Sequence, residues 1–227
     1  MLCGGRGVRA HPDTIEVPKP LLTVAGVPIV EHVMGIYRAQ GRFQFLLAVG
    51  YRADLFADRY AGRAGVMVVD TGEDTPTGER LRLAAAVVEE DTFHATYGDG
   101  LADLDLGALL DTHRRARADL TVTTVPLRSQ YGAVVCDEDG RVMAFREKPV
   151  LEDHWINGGF FVVERGAIPR WRGDDLEAEV LPALAGAGRL YAYRHRGFWK
   201  SMDTYKDRQE LNRLADPGPP PWRTAPG

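Results

Sequence analysis

The first residues that could carry chemistry form a glycine-rich loop, Gly4-Gly5-Arg6-Gly7-Val8-Arg9, directly after a short apolar stretch. Glycines let backbone N–H groups approach phosphate oxygens, and an arginine fork can hold a pyrophosphate. The loop matches neither the Walker pattern, which needs Gly-Lys-Ser/Thr, nor the dinucleotide fingerprint. It predicts a phosphate-binding loop of another type, with a plain tight turn as the alternative.

Two lysines beside prolines form a second group of candidates. Lysine supplies only four of the 28 basic residues, at positions 19, 148, 200 and 206, so this chain uses arginine by default. Lys19 stands between Pro18 and Pro20, and Lys148 precedes Pro149. Because an ammonium is a compact point charge, a lysine retained in such a background favours a phosphate contact. A solvated loop lysine is the alternative for each of them.

Two isolated aspartates are candidate metal ligands. Asp99 follows a predicted strand and Asp203 precedes a predicted helix, and two carboxylates with phosphate oxygens suit Mg²⁺. Each is also a candidate turn or capping residue. Asp103-Leu104-Asp105 resembles the Asp-x-Asp metal motif of glycosyltransferases, but its place at the start of a predicted helix favours helix capping.

The elements that must position these residues follow from the hydrophobic pattern. Apolar, β-branched runs alternate with segments of helical period, which predicts an α/β fold with a mainly parallel sheet. The predicted strands cover residues 45–49, 66–70, 93–97 and 120–125, and the predicted helices cover 29–39, 80–88 and 106–116. Ligands of such sheets bind beyond the carboxyl ends of the strands, which is where Asp99 is expected.

The second half of the chain has a different pattern. Residues 132–136 and 141–145 flank an Asp-Glu-Asp-Gly turn, which predicts a hairpin. A strand over 156–163, a helix over 174–184, a strand over 190–193 and a helix over 204–214 follow. We expect a single domain over residues 1–216 and a Pro-rich extension over 217–227.

Composition excludes several classes of protein. A formal net charge of -4 argues against a protein that coats nucleic acid. No apolar run approaches the roughly 20 residues that a membrane span needs. Glycines interrupt any apolar segment near the amino terminus, so a signal peptide is not expected and a cytoplasmic location is predicted.

Taken together and in order, these segments resemble the sugar-1-phosphate nucleotidyltransferases, most closely the glucose-1-phosphate cytidylyltransferases. The family segments Gly-Gly-x-Gly-Thr-Arg-Leu, Pro-Lys-Pro-Met and Gly-Gly-Lys-Pro-Ile are similar to residues 4–10, 18–21 and 25–29. The similarity continues through residues 50–52, 70–72, 77–81, 96–100, 145–149, 156–161, 197–199, 202–204 and 220–222. Each short segment is common, whereas the ordered set is specific.

The resemblance implies a Rossmann-like three-layer α/β fold of the nucleotide-diphospho-sugar transferase type, with a mixed, mainly parallel sheet. It implies a nucleotide-binding first half and a sugar-phosphate-binding second half. The implied reaction is Mg²⁺-dependent transfer from a nucleoside triphosphate, CTP favoured, to a sugar-1-phosphate, glucose-1-phosphate favoured, with release of pyrophosphate. By analogy with the family, a homo-oligomer is also expected.

The same resemblance implies roles for individual residues. The implied catalytic residues are Arg9, Lys19, Asp99, Lys148 and Asp203, of which Asp99 and Asp203 hold Mg²⁺. The implied nucleotide-binding residues are Gly4, Gly5, Gly7, Arg9, Thr77, Gly78 and Glu79. The implied sugar-phosphate-binding residues are Lys19, Glu147, Lys148, Asn157 and Gly158.

Three departures from the family pattern leave alternatives open. Only three residues precede Gly4 where the family has a full strand, Val8 replaces a threonine, and Glu79 replaces a glycine. A carboxylate at position 79 can accept from an exocyclic amine, which favours cytosine or adenine over uracil or thymine.

The first alternative is the same chemistry with another nucleoside triphosphate, ATP before others, and a different sugar or cyclitol phosphate. The second is a glycosyltransferase that uses Asp103 and Asp105. The third is a non-catalytic homologue that binds nucleotide-sugars.

Overall fold

The computed structural model describes residues 1–10, 12–216 and 218–223. The helices are α1 (Ile29–Arg38), α2 (Ala53–Tyr60), α3 (Thr77–Ala85), α4 (Leu106–Ala116), α5 (Leu181–Gly186) and α6 (Tyr205–Leu214). Short 3₁₀ turns cover Val8–Ala10, Lys19–Leu21 and Arg165–Arg170, and a π-helical turn, Leu176–Val180, leads into α5.

The strands fall into a main sheet and three small pairs. The main-sheet strands are β3 (Phe45–Val49), β4 (Val66–Asp70), β5 (Thr92–Thr96), β7 (Leu120–Arg128), β10 (Val150–Glu164) and β11 (Leu190–Arg194). The small pairs are β1 (Thr23–Val24) with β2 (Val27–Pro28), β6 (Gly100–Ala102) with β12 (Trp199–Ser201), and β8 (Ala133–Cys136) with β9 (Val142–Arg146).

Leu2 joins the two parts of the main sheet. β3 pairs with β4 in parallel, and the other four strands have the order β11-β7-β10-β5. Leu2 forms parallel bridges to Ala48 of β3 and to Tyr97 beyond β5, and its N–H donates to the carbonyl of Thr96 at 2.8 Å. The strand ahead of the glycine loop is therefore a one-residue bridge. Within the main sheet as the structure describes it, β10 pairs antiparallel with β5 and β7, and the other pairings and the Leu2 bridges are parallel. The predicted mixed, mainly parallel sheet is confirmed.

Both faces of the sheet are covered, as the predicted three layers require. Successive residues of a strand point to opposite faces, and β10 shows this alternation directly. Phe160 and Val162 belong to one buried core, formed with α1, α4 and α6, whereas Phe161 and Val163 belong to a second core, formed with α3 and α5. All four side chains are fully buried.

Several element boundaries differ from the sequence predictions. α3 begins at Thr77, three residues earlier than predicted, because Pro76 occupies the position before its first turn. The helix predicted over 174–184 is a π-helical turn followed by α5. α2, β6 and β12 were not predicted, and these elements are only three to eight residues long.

The described part of the Pro-rich tail packs against the first core. Trp222 is buried there, and its indole N–H donates to Nδ1 of His32 at 3.3 Å. Residues 217 and 224–227 of the predicted extension lie outside the described residues. Among the helices that the structure describes, none combines the length and the apolar character needed to cross a membrane.

Candidate active site

A cavity of about 550 Å³ opens beyond the ends of the Leu2 bridge and β5. Ten of the predicted site residues line it, and they come from segments spread over the whole chain: Gly4, Gly5, Gly7, Arg9, Lys19, Thr77, Asp99, Asn157, Gly158 and Asp203. Four predicted site residues are absent from its lining as the structure describes it: Gly78, Glu79, Glu147 and Lys148.

The glycine loop is held close to the sheet. A Cβ on Gly4 would overlap the guanidinium of Arg80, so only glycine fits between that side chain and the cavity. Gly7 has a φ of 61°, a conformation that favours glycine, and its carbonyl accepts from Thr14 Oγ at 2.9 Å. The loop backbone therefore approaches the cavity without intervening side chains, as phosphate binding requires.

Lys19 stands between the two predicted metal ligands. Its Nζ lies 2.6 Å from Oδ2 of Asp99 and 3.0 Å from Oδ1 of Asp203, and its side chain is only 12% exposed. Although burial by itself lowers the pKa of Lys19, the two carboxylates outweigh it and raise that pKa above its ordinary value. Lys19 is therefore a largely buried cation held between two carboxylates.

Asp203 also takes part in a wider polar network. Arg9 Nη2 lies 2.8 Å from its Oδ1, and Ser201 Oγ donates to its Oδ2 at 2.7 Å. Burial alone raises the pKa of Asp203, but the Ser201 hydroxyl, Lys19 and Arg9 together lower it below its ordinary value. Asp203 is thus held as a carboxylate at the cavity wall.

The register of a short strand pair brings Asp99 and Asp203 together. β6 and β12 run antiparallel with Gly100 opposite Ser201, so the residues just outside the pair lie side by side. The N–H of Met202 closes the pair by donating to the carbonyl of Asp99 at 3.0 Å. Asp203 is not the cap of α6, because Thr204 fills that position and forms a capping box with Asp207.

The aspartates of the Asp-x-Asp motif have other partners. Asp105 caps α4 by accepting from the N–H of Ala108 at 2.8 Å, so the capping interpretation is confirmed. Asp103 lies 2.9 Å from Nε2 of His195 and does not line the cavity that the structure describes. Neither carboxylate reaches the position that Asp99 and Asp203 occupy.

One wall of the cavity is built where α3 meets the π-helical turn. Thr77, Arg80 and Glu177 face the cavity from this wall. The N–H of Glu79 donates to the carbonyl of Asp174 at 2.9 Å, which fastens the two segments together. The carboxylate of Glu79 lies 2.6 Å from Arg82, and Glu79 is not among the residues that line the cavity as the structure describes it.

Arg80 is the buried cation of this wall. It is 3% exposed and donates to the carbonyls of Val49, Gly72 and Thr75 at 2.7 to 3.0 Å. Burial lowers its pKa, and no described carboxylate lies within ion-pair distance of it. Arg80 therefore supplies positive charge directly beneath Gly4.

Glu147 and Lys148 lie at the junction between the β8–β9 hairpin and β10. Their side chains are 65% and 50% exposed, and Lys148 Nζ lies 3.7 Å from Oε1 of Glu147. Asn157 and Gly158, further along β10, do face the cavity. The carbonyl of Gly158 accepts from the indole N–H of Trp199 at 2.7 Å, which fixes this part of the lining.

Comparison with known proteins agrees with this arrangement. The nucleotidyl transferase family model matches residues 1–213. The chain belongs to the nucleotidyl transferase family. Glucose-1-phosphate cytidylyltransferase of Salmonella typhi is 36% identical over 254 residues, which cover 99% of this chain and 98% of the relative. The prediction of an enzyme of the sugar-1-phosphate nucleotidyltransferase type is confirmed.

Two further similar proteins differ more from this chain, one in its length and the other in its sequence. Mannose-1-phosphate guanylyltransferase of Mycobacterium tuberculosis is 36% identical over 221 residues, which cover 91% of this chain and 61% of the relative. The crystal structure of HddC from Yersinia pseudotuberculosis has a TM-score of 0.70 at 22% identity and covers 93% of this chain and 96% of its own. That structural likeness shows a common fold.

The residues of this nucleotidyl transferase fit the Mg²⁺ that the family implies. Asp99 and Asp203 both direct an oxygen at the same ammonium, so the cavity wall already holds a cation between two carboxylates. Hard oxygen ligands, few of them from protein, are what Mg²⁺ prefers beside phosphates. The donor set of the cavity therefore suits Mg²⁺ better than a metal that prefers nitrogen or sulfur.

Sequence reasoning did not single out several cavity residues of this nucleotidyl transferase, namely Arg80, Glu177, Trp199 and Ser201. Arg80 lies in the segment 77–81 that resembles the family, but it was given no role because arginine is the default cation of the chain. Glu177 lies in a run of acidic residues that is typical of a solvent-exposed helix face. Only the packing of the π-helical turn on α3 shows that its carboxylate faces the cavity.

Proposed function

We propose that the enzyme transfers a cytidylyl group from CTP to glucose-1-phosphate with Mg²⁺, giving CDP-glucose and pyrophosphate. The observation that carries the proposal is the Lys19 ammonium between Asp99 and Asp203, beside a glycine loop in one cavity. The choice of CTP and glucose-1-phosphate is supported by relatives from Salmonella and Bacillus named glucose-1-phosphate cytidylyltransferase.

The proposed reaction is a substitution at the α-phosphorus of CTP. A phosphate oxygen of glucose-1-phosphate forms a bond to that phosphorus, and the bond from the α-phosphorus to the oxygen that bridges it to the β-phosphorus breaks. The electron pair leaves with pyrophosphate. Because the attacking oxygen already carries negative charge, no general base is needed, and catalysis rests on positioning and on cationic stabilisation.

The side chains of the cavity suit these tasks. Arg9 and the loop N–H groups would bind the β- and γ-phosphates, and Lys19 would bridge the α-phosphate and the sugar phosphate. Asp99 and Asp203 would hold Mg²⁺, which supplies Lewis-acid stabilisation of charge on phosphate oxygens. The Ser201 hydroxyl, Lys19 and Arg9 outweigh the effect of burial and lower the pKa of Asp203, so this side chain is a carboxylate that can bind a cation.

The remaining assignments follow the family resemblance and stay proposals. Asn157, the Gly158 backbone and Glu147 would contact the sugar hydroxyls, and Lys148 would anchor the sugar phosphate. The segment of Thr77, Gly78 and Glu79 would adjoin the nucleobase. Lys148 and Glu147 lie outside the cavity lining, so their roles need the most direct test.

Another nucleoside triphosphate is the main alternative, and the similarity to mannose-1-phosphate guanylyltransferase supports it. ATP, or a different sugar or cyclitol phosphate, would use the same cluster of Lys19, Asp99 and Asp203. The glycosyltransferase alternative has less support, because Asp103 and Asp105 bind His195 and the α4 backbone. A non-catalytic role is disfavoured because four charged residues with proposed catalytic roles, Arg9, Lys19, Asp99 and Asp203, all line the one cavity.

The test is pyrophosphate release, with and without Mg²⁺, from CTP, UTP, GTP, ATP and dTTP, each against glucose-1-phosphate and mannose-1-phosphate. We expect Mg²⁺-dependent release with CTP and glucose-1-phosphate above all other pairs. Release with a different pair would keep the reaction and change the substrates. No release from any pair, in protein that binds nucleotide, would support the non-catalytic alternative.

We also propose that the enzyme is a homo-oligomer that works in the cytoplasm. Support for the oligomer comes from the β8–β9 hairpin, where Val134, Met143 and Phe145 are 51% to 64% exposed. Such apolar area on a surface hairpin is typical of a subunit interface, here with a second copy of the chain. Light scattering would show a mass that is a multiple of 25.1 kDa, and a mass of one chain would contradict the proposal.

A further inference from the structure

Glu177 differs from the other glutamates beside α3. Glu79 is paired with Arg82 at 2.6 Å, and Glu179 accepts from the N–H groups of Asp174 and Asp175 at 2.7 and 3.0 Å. Glu177 instead faces the cavity and has no cationic partner within ion-pair distance among the described residues. Its carboxylate is therefore available to a hydrogen-bond donor of a bound ligand.

A chain of two hydrogen bonds fixes the direction of this carboxylate. The N–H of Leu176 donates to Oγ of Thr77 at 2.9 Å, so the Thr77 hydroxyl must use its own proton elsewhere. It donates that proton to Oε2 of Glu177, also at 2.9 Å. Oε1 is left with its acceptor capacity for a ligand, and the direction of the carboxylate is set before any ligand arrives.

The charge around Glu177 restricts which part of a nucleotide can face it. Phosphates are suited to the loop and Lys19, where positive charge and backbone donors gather, and they would be repelled by an unpaired carboxylate. The wall of Thr77 and Glu177 adjoins this loop through Arg80, whose guanidinium lies against Gly4. A nucleobase amine, which donates and carries no negative charge, is the part of the substrate that fits there.

We propose that Glu177 is a specificity-determining residue, whose Oε1 accepts a hydrogen bond from the exocyclic amine of cytosine. Uracil has a carbonyl oxygen at the same ring position, so UTP would place an acceptor against a carboxylate. The inference rests on the proposed function for the identity of the substrate. It moves the recognition of the base from Glu79, which sequence reasoning favoured, to a residue about 100 positions further along the chain.

The test compares the binding of CTP and UTP, with Mg²⁺, to wild-type protein and to Glu177→Gln by calorimetry, alongside kcat/KM for both substrates. A glutamine keeps the shape of the side chain and adds an amide donor that suits the uracil carbonyl. We expect the CTP-to-UTP preference to fall by roughly tenfold or more, because the acceptor for the cytosine amine loses its negative charge and the new NH₂ group can donate to the uracil carbonyl. A preference that changes less than twofold would overturn the proposal.

Two further variants make the result specific. Glu79→Gln tests the competing residue: a change of preference in this variant and not in Glu177→Gln would refute the role of Glu177. Glu89→Gln removes a matched charge from an exposed position and should leave the preference unchanged. Melting temperatures within a few degrees of the wild type would show that each variant is folded.

The binding readout separates this inference from the proposed function. If wild-type protein binds CTP better than UTP but releases no pyrophosphate, the proposed reaction fails, and the calorimetric comparison of Glu177→Gln still decides the role of Glu177. If pyrophosphate is released and Glu177→Gln leaves the CTP-to-UTP preference unchanged, the proposed reaction is supported and the role of Glu177 is refuted.

Discussion

Lys19 and Lys148 occupy similar local sequences and very different surroundings. Each precedes a proline, and each is a rare lysine in a chain rich in arginine. Lys19 is 12% exposed and contacts two carboxylates, one of them 184 residues away in the sequence. Lys148 is 50% exposed, and the ion pair that the structure gives it is with Glu147, its neighbour in the chain.

The difference between the two lysines shows what places a basic side chain in a binding site. The prolines beside Lys19 fix the start of a 3₁₀ turn, but the β6–β12 pair is what brings Asp99 and Asp203 to it. The hairpin next to Lys148 has no comparable cover, since most side chains of β8 and β9 are exposed. A local motif fixes the backbone that carries the side chain, whereas contacts between distant parts of the chain supply its charged partners.

The largest effect is expected from removing charge around Lys19. Asp99→Asn and Asp203→Asn should each lower kcat by roughly 10³ or more, since each removes a ligand of the proposed Mg²⁺ and a partner of Lys19. Steady-state rates at several Mg²⁺ concentrations would measure this, with circular dichroism to show that the fold is kept. Near-normal Mg²⁺-dependent turnover in either variant would remove that residue from the metal site.

A second, smaller effect is expected from changing the shape of the cation and keeping its charge. Lys19→Arg should lower kcat by roughly 10², because a guanidinium is larger and donates as a planar fork, which does not fit between two fixed carboxylates. Lys148→Arg is the matched control, and it should change kcat and KM by no more than about twofold because the side chain is half exposed. Equal sensitivity at both positions would contradict the distinction between the two lysines.

A third test concerns the proposed role of Lys148. Lys148→Ala should raise KM for the sugar phosphate by about tenfold with little change in kcat, as expected for loss of one exposed phosphate contact. KM for CTP should stay the same. A selective rise in KM for CTP would show that Lys148 serves the nucleotide, and no change at all would leave it outside the site.

The smallest effect concerns stability at high pH. The folded-state pKa of Lys19 is raised, so its contribution to the free energy of unfolding is present below pH 10.5 and is lost as pH rises through the folded-state value. The wild type should therefore lose more stability than Lys19→Met as the pH rises above 10.5 in urea titrations. Lys148→Met should follow the wild-type curve. Parallel curves for wild type and Lys19→Met would show that the carboxylates do not stabilise the ammonium.

The fold was predicted well where the signal is local and periodic. β3 and β4 match the predicted strands residue for residue, because each is a short, nearly continuous run of apolar residues. α4 matches as well, because its amphipathic stripe is preceded by the capping residue Asp105. α2 was missed because only Phe56 and Tyr60 are buried in its eight residues, too short a stripe to recognise.

The sequence also predicted which types of residue form the candidate site. It predicted less well how those residues are arranged. Asp99 and Lys19 were chosen for their chemistry, and the structure brings both to one cavity. Asp203 had two interpretations, and the assignment of the cap to Thr204 leaves its carboxylate free for the cavity. The sequence offered equally good reasons to predict Glu79 and Lys148 as site residues. Neither of them lines the cavity as the structure describes it.

The sequence by itself determined the alternation of strands and helices, the glycine loop that permits close backbone approach, and the presence of rare lysines and candidate aspartates. Only the tertiary structure decided which carboxylates face the cavity. Glu177 faces it and Glu79 does not, because the π-helical turn packs on the start of α3 through contacts between residues nearly 100 positions apart. Such contacts depend on the whole core, and no local pattern of residue types encodes them.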